Sequence, residues 1–237
     1  MYLWQFAKNQ VFSGQTLARK IDWNQLGRRV LIDASEGIIS WMTTSPGHGS
    51  STDASDNIVK AAENFIKKRV KGMRDTRWKR PEDPRNIGVE PDASFYIGEK
   101  AERWYAIYWD AVKDAAEKFA ERTPPDLVVE VEVTHLDVKK PTRYASLGVR
   151  EMWQINYHHE EDAYQSTILD LQAQGGPREI VQSSVLPGLT ADSLPKAYKL
   201  AEGGMQAELQ TLLAKEFSAP LPEPTPEKDL PRGEPRM

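Results

Sequence analysis

The pattern of hydrophobic and polar positions predicts two strands and a helix in the first third of the chain. Residues 28–33 and 37–43 are short apolar runs separated by three residues, a spacing typical of a β-hairpin. From Ile58 to Val70 apolar residues recur at helical spacing with charged residues between them, which predicts an amphipathic helix. Residues 44–51 before this helix are rich in Ser and Gly and predict a loop.

The middle of the chain predicts a loop, a strand and one long helix. Residues 71–88 hold little apolar pattern and predict a loop, which is followed by a strand over 89–97 with Pro91 at its edge or beginning. Residues 99–122 carry aromatic and aliphatic side chains at helical spacing and predict the longest helix of the chain. This helix has to end before Pro124, because a helix does not continue through a proline pair.

The clearest strand of the sequence is Leu127–Val133. It begins as a continuous apolar run and ends in strict alternation, which predicts a central strand that is buried on at least one face. Residues 137–147 predict a short helix closed by Gly148. Residues 150–156 and 163–172 predict two further strands.

The last part of the chain predicts a helical region and a tail. Residues 194–217 have helical spacing, with a break at Gly203 and Gly204. Residues 219–237 hold six prolines and no apolar period, which predicts a disordered tail. With 237 residues and 39% hydrophobic content, the chain is expected to form a single domain over residues 1–218.

Composition excludes several classes of site. The chain has no cysteine, so disulfides, thiolate metal sites and cysteine nucleophiles are excluded. No window of about 18 apolar residues exists to span a membrane, and the first residues lack the features of a secretory signal, so we expect a soluble cytoplasmic protein. A formal net charge of -4 gives no overall electrostatic case for nucleic-acid binding, so such binding has to depend on a local patch.

Two glutamates on the clearest strand form the first candidate site. Glu130 and Glu132 are two positions apart, so their side chains leave one face of the strand while Val129 and Val131 leave the other. Like charges among β-branched residues are costly unless they are solvated, protonated or bound to a cation. Oxygen ligands of this kind suit Mg²⁺ or Mn²⁺. The alternative is that this face is exposed and both glutamates are solvated.

Asp92 and Lys140 add the other groups that metal-assisted phosphodiester hydrolysis requires. Asp92 follows Pro91 where a strand is predicted to begin, and Lys140 lies eight residues after Glu132 in the next predicted helix. Carboxylates hold the metal, which polarises the phosphate and activates a water, and a lysine orients that water or neutralises charge on the phosphate. Taken singly, each of these residues is ordinary in a chain with 28% charged residues.

Two segments, residues 88–97 and 124–155, resemble the bacterial restriction endonuclease-like family called Uma-two, a member of the PD-(D/E)XK nuclease superfamily. The residues that carry the resemblance are Pro91, Asp92, Pro125, Asp126, Glu130, Lys140, Tyr144, Gly148, Val149 and Trp153. The similarity covers roughly residues 25–160. It implies an α/β fold with an αβββαβ core, in which a central mixed sheet is flanked by helices.

The resemblance also implies roles for individual residues. Asp92 and Glu130 are expected to be metal ligands. The superfamily pattern usually has a lysine two positions after the second acid, but Glu132 stands there in this chain. Lys140 is then expected to act as a lysine that has migrated to the following helix. Glu132 and the backbone carbonyl of Val131 are further candidate ligands.

By the same resemblance, the chain is expected to be a Mg²⁺- or Mn²⁺-dependent endonuclease that hydrolyses DNA and acts as a homodimer. The alternative is a catalytically inactive protein of the nuclease fold that binds nucleic acid or supports an assembly. The displaced lysine favours this alternative, as does Gly49 after His48, where the family usually has a glutamate.

Three other clusters have a functional and a structural interpretation. Between Lys67 and Arg80 lie eight basic residues and one acid, which is either a surface for nucleic acid or a solvated loop. The candidate nucleic-acid-binding residues in this segment are Lys71, Arg74, Arg77, Trp78, Lys79 and Arg80. Residues 158–162 contain two histidines and three acids, but their position favours a hairpin turn over a metal cluster. The aromatic residues of 104–109 either stack on bases or belong to a core or dimer contact.

Overall fold

The computed structural model describes residues 2–5, 29–33, 38–42, 46–73, 76, 78–79, 88–110, 113–132, 138–158 and 161–218. Within these ranges the helices are α1 (Pro46–Ile66), α2 (Glu99–Asp110), α3 (Lys113–Arg122), α4 (Lys140–Leu147), α5 (Leu194–Glu202) and α6 (Gln206–Ser218). The strands are β1 (Tyr2–Gln5), β2 (Arg29–Asp33), β3 (Ile38–Met42), β4 (Val70–Gly72), β5 (Trp78–Lys79), β6 (Gly88–Val89), β7 (Ala93–Ile97), β8 (Leu127–Glu132), β9 (Glu151–His158), β10 (Ala163–Asp170) and β11 (Arg178–Ile180).

A six-stranded mixed sheet in the order β11-β10-β9-β8-β7-β4 forms the centre of the fold. Strands β4, β7 and β8 are antiparallel neighbours, whereas β8 and β9 are parallel. Parallel neighbours need a crossover, and helix α4 lies in the connection between β8 and β9. The elements α1, β4, β7, β8, α4 and β9 follow one another in the order αβββαβ of the expected core, with β5 and β6 of a second sheet inserted before β7 and helices α2 and α3 inserted before β8.

A second sheet has the order β1-β3-β2-β6-β5. Strands β2 and β3 pair as an antiparallel hairpin, as the sequence predicted. Strand β6 belongs to this sheet and β7 to the central one, so residues 90–92 connect the two sheets. This connection is where Asp92 lies.

Both faces of the central sheet are covered. On one face Val129, Val131 and Trp153 pack in a cluster with residues of α1, α5 and α6. On the other face Val128 and Tyr144 belong to a second cluster. Because β8 contributes buried residues to both clusters, the continuous apolar start of its sequence has a structural explanation.

Three predictions for residues 44–88 need correction. Helix α1 begins at Pro46 and includes the segment predicted as a loop, since a proline is compatible with the first helical position. It ends at Ile66, and Val70 instead begins β4, where its N–H donates to Glu63 Oε1 at 3.1 Å. The predicted loop over 71–88 contains parts of three short strands, so local pattern alone missed their pairing.

The predicted long helix is two helices, α2 and α3, and the predicted strand 89–97 is interrupted before β7. Strands β8, β9 and β10 and the break between α5 and α6 confirm the predictions. Strands β1 and β11 were not predicted. The tail from residue 219 onward lies outside the described residues. No helix in the described ranges is both long and apolar enough to cross a membrane.

Gly188 is expected to tolerate no side chain, and its replacement gives a stability prediction. Its φ is +130°, and a Cβ added there would lie 2.6 Å from Cδ1 of Phe217, whose ring stacks on Phe65 with centroids 5.5 Å apart. Gly175 has a φ of +92° but would meet nothing within 4 Å, so it reports the backbone cost alone. We expect Gly188→Ala to lower the free energy of unfolding by about 2 kcal/mol more than Gly175→Ala. Urea denaturation of both variants measures this difference, and equal losses would contradict the predicted clash.

Candidate active site

Asp92 is held at the start of β7 against the end of β8. Its side chain is buried, and its backbone N–H donates to the carbonyl of Val129 at 3.1 Å. Its Oδ2 accepts the N–H of Val131 at 2.6 Å. The two contacts bracket Glu130 in the chain, so they fix Asp92 beside that residue.

Glu130 is buried in the middle of the site, with 1% of its surface exposed. Lys140 donates from Nζ to Oε2 of Glu130 at 2.5 Å, and the hydroxyl of Tyr144 donates to Oε1. Lys140 and Tyr144 are four residues apart on α4, so both side chains leave the same face of that helix. The left-handed C-cap at Gly148, with φ +89°, ends α4 and turns the chain into β9.

The electrostatics of the site follow from this burial. Loss of water raises the pKa of Glu130, and the Asp92 carboxylate raises it as well, whereas the Lys140 ammonium and the Tyr144 hydroxyl lower it. Burial and the charge of Glu130 raise the pKa of Tyr144 well above its ordinary value. Tyr144 is therefore a neutral hydroxyl that donates to the glutamate.

The structure brings three of the four predicted catalytic residues together, namely Asp92, Glu130 and Lys140. The fourth, Glu132, ends β8 opposite Asn156, and its side chain lies outside the described part. The burial of Glu130 rules out the solvated alternative for this residue. Tyr144 was not predicted as a site residue, although its spacing of four from Lys140 is a signal that the sequence contains.

A divalent cation fits the donor chemistry of these residues. Asp92 and Glu130 are hard oxygen donors that lie beside each other in a buried place. No group of three or more His, Cys, Asp or Glu side chains arranged for a metal occurs among the described residues. Two side-chain ligands are sufficient for Mg²⁺, which usually retains several waters.

Asp126 has a local setting similar to that of Asp92 but a different neighbourhood. Both acids follow a proline and precede a strand of the antiparallel pair β7 and β8. Asp126 Oδ2 accepts the N–H of Ile97 at 2.9 Å, just as Asp92 accepts that of Val131. Lys100 Nζ lies 2.9 Å from Asp126 Oδ1, so this acid has a cation partner of its own. Asp126 thus ties strand ends together away from Glu130.

The predicted nucleic-acid segment needs a correction at Trp78. Its indole is 3% exposed, donates to Ser94 Oγ at 3.3 Å and packs edge-on against Tyr96. A buried ring of the core has no face to offer a base, so the predicted stacking role is wrong for this residue. Lys71 is partly exposed on β4. The side chains predicted with these two, Arg74, Arg77, Lys79 and Arg80, lie outside the described part.

The histidine and acid cluster over 158–162 falls at a hairpin between β9 and β10, as predicted. His158 is exposed, and Ala163 pairs with it across the hairpin. Asp162 Oδ2 lies 3.1 Å from Lys199 Nζ, which lowers the pKa of Asp162 through a hydrogen bond. The described members of this cluster therefore form a surface turn. His159 and Glu160 lie outside the described residues.

Comparison with known proteins gives a family match and a similarity to solved structures. The profile of the Uma2 family, described as "putative restriction endonuclease", matches residues 23–195. A crystal structure described as a putative nuclease belonging to DUF820, from Anabaena variabilis, is similar over 85% of this chain and 99% of that chain, with 14% identity and a TM-score of 0.45. A search of curated proteins gave no match.

Proposed function

This chain belongs to the Uma2 family, and from that premise we propose that it is a metal-dependent endonuclease that hydrolyses the phosphodiester bonds of DNA. The observation that carries the proposal is the convergence of Asp92, Glu130 and Lys140 at the end of β8. Burying two acids beside each other costs free energy that a merely structural role does not need. Binding of a cation and a phosphate by these residues would account for that arrangement.

Asp92 and Glu130 are proposed to hold Mg²⁺ or Mn²⁺. The carbonyl of Val131 and the carboxylate of Glu132 are the further proposed ligands, because β8 continues from Glu130 through both. When bound, such a cation polarises a phosphate and lowers the pKa of a coordinated water. The N–H of Val131 holds the Asp92 carboxylate, so that ligand is oriented before any metal arrives.

Lys140 is proposed to orient the attacking water or to neutralise charge that develops on the phosphate. The proposal is supported by its ammonium, which lies 2.5 Å from Oε2 of Glu130, a proposed metal ligand. Tyr144 is proposed as a positioning residue, since its hydroxyl fixes the other oxygen of Glu130.

The test is cleavage of supercoiled plasmid and of single-stranded DNA by the purified full chain. We expect nicked and linear products with Mn²⁺ or Mg²⁺ and none with EDTA, because the carboxylates alone do not activate water. Equal amounts of cleavage product with and without EDTA would contradict the metal-dependent mechanism. The catalytically inactive alternative predicts that wild type never exceeds the background of an Asp92→Asn variant.

Replacing Lys140 gives a prediction that separates the proposed lysine from its neighbours. We expect Lys140→Ala to reduce the cleavage rate by about 100-fold, since a positioned charge at the phosphate is lost. Lys139 is the adjacent exposed lysine, and we expect Lys139→Ala to cut at nearly the wild-type rate. Single-turnover cleavage measures both variants. Equal rates for the two would remove Lys140 from the proposed mechanism.

A further inference from the structure

The second half of α2 carries a set of aromatic side chains that ends at the protein surface. The rings of Trp104 and Tyr108 are nearly parallel, with centroids 4.7 Å apart and 15° between their planes. Trp109 packs edge-on against Tyr108 at 5.7 Å. Tyr108 is 47% exposed and Trp109 is 75% exposed. These three residues, the aromatic stack, leave open ring surface that nothing in the described core requires.

Cationic side chains from the edge of the central sheet meet this part of α2. Lys71 Nζ lies 4.3 Å from the centroid of the Trp104 ring. Arg69 Cζ lies 5.3 Å from the centroid of the Tyr105 ring, and residues 67–69 are all exposed. Trp104 and Tyr105 are half-buried, but the exposed rings of Tyr108 and Trp109 follow them on the same helix. Positive charge next to exposed aromatic rings complements a polyanion that carries aromatic groups, which is the description of a nucleic acid.

The register of the central sheet places Lys71 on the sheet face that also carries Glu130. Lys71 pairs with Tyr96, and Ser94 pairs with Val128. Because side chains alternate along each strand, Lys71, Val128 and Glu130 share one face. Lys71 is two strands away from Glu130 and four residues away along the strand direction, a backbone separation of roughly 16 Å. The buried residues Trp78, Tyr96 and Val128 cover the sheet between these two positions, so a strand that reached both would pass over that cluster.

We propose that the aromatic stack binds unpaired bases of single-stranded DNA and leads the strand toward Asp92 and Glu130. This inference rests on the proposed nuclease function and adds the form of its substrate. A base stacks on the open ring of Tyr108 or Trp109, while Arg69 and Lys71 lie close enough to contact phosphates. Base faces are hidden inside a duplex, so the surface selects unpaired nucleotides.

A second copy of this chain is the competing occupant, because exposed tryptophans also form dimer contacts. A two-fold dimer through this patch would place the patch of one copy on the same patch of the other. The cations at residues 67–71 would then face each other, which opposes such a contact. The charge of the surface therefore favours DNA.

The test is fluorescence anisotropy with a labelled dT oligonucleotide and a duplex of the same length, both in EDTA so that no cutting occurs. We expect wild type to bind the dT oligonucleotide more tightly than the duplex, and Trp109→Ala to weaken dT binding about tenfold. Trp109 is exposed, so its loss leaves the core intact. The matched control is Val181→Ala, which removes an apolar side chain that is 72% exposed elsewhere and is expected to bind like wild type.

Several outcomes would overturn the inference. These are tighter binding to duplex than to dT, unchanged dT affinity in Trp109→Ala, or a doubled mass in light scattering that returns to one copy in that variant. The nuclease proposal is tested separately by cutting in Mn²⁺. If wild type cuts DNA and Trp109→Ala binds dT normally, the nuclease proposal stands and the proposed stacking surface is wrong. If Trp109→Ala weakens dT binding but wild type does not cut DNA, the stacking surface stands and the nuclease proposal is wrong.

Discussion

Asp92→Asn and Glu130→Gln are each expected to abolish DNA cleavage while the protein stays folded. Each substitution retains the shape of the side chain but removes the negative charge that the proposed cation requires. We expect a rate loss of about 1,000-fold or more in Mn²⁺. The fold is expected to persist because the amide that replaces the Asp92 carboxylate retains an oxygen for the N–H of Val131, and because the two like charges no longer oppose each other.

The rates are measured as initial velocities of plasmid nicking, and stability is measured by urea denaturation. Asp126→Asn is the matched control, since Asp126 also follows a proline and also accepts a strand N–H. It is expected to lose stability through its contact with Lys100 yet cut normally. If Asp92→Asn cuts at the wild-type rate, or if Asp126→Asn loses as much activity, the site has been assigned to the wrong acid.

Glu151→Ala is expected to cause a large loss of stability. The Glu151 side chain is fully buried, and each of its oxygens accepts hydrogen bonds. Its donors are Trp153 Nε1 at 2.8 Å, Ser183 Oγ at 2.5 Å, Ser184 N at 2.7 Å, Ser184 Oγ at 2.8 Å and Val185 N at 3.3 Å. Alanine leaves these donors without their acceptor, and it also leaves a cavity.

We expect Glu151→Ala to lower the free energy of unfolding by about 3 kcal/mol or more. Glu179 is an exposed glutamate on β11, so Glu179→Ala makes the same chemical change without burial and is expected to stay within about 0.5 kcal/mol of wild type. Chemical denaturation of both variants gives the comparison. Similar losses in the two variants would show that Glu151 does not anchor residues 183–185 to β9.

The strands that form the site were predictable because their patterns are strong and local. The LVVEVEV segment predicted β8 through its apolar run, and Gly148 predicted the end of α4, which the left-handed C-cap confirms. The proximity of Asp92 to Glu130 was harder to predict from the local pattern of apolar and polar residues. It depends on the pairing of β7 with β8, which joins residues almost forty positions apart.

The two Pro-Asp pairs show where local pattern stops being informative. Asp92 and Asp126 each precede a strand, and each binds an N–H at the far end of the neighbouring strand. The two acids differ in their neighbours, because Glu130 lies beside Asp92 whereas Lys100 lies beside Asp126. Those neighbours come from distant segments, so periodicity around each acid could not distinguish a candidate ligand from a structural tie.

Trp78 and Glu151 are two residues whose burial the local sequence did not predict. Trp78 lies in a run of basic residues, which favoured a surface role, but its pairing through β5 and its contact with Tyr96 bury it. Glu151 lies at the start of a strand that the sequence predicted, but residues 183–185 supply four of its five donors and Trp153 the fifth. Burial of polar and aromatic side chains was set by tertiary contacts that the local sequence does not encode.

The most direct test of the proposed site is the position of Mn²⁺ in a crystal of the full chain. An anomalous difference map locates the ion independently of any activity. We expect a peak with oxygen atoms of both Asp92 and Glu130 at about 2.0–2.2 Å, and loss of that peak in Asp92→Asn. A Mn²⁺ peak that involves neither acid, or none at a concentration that supports cleavage, would contradict the proposed site.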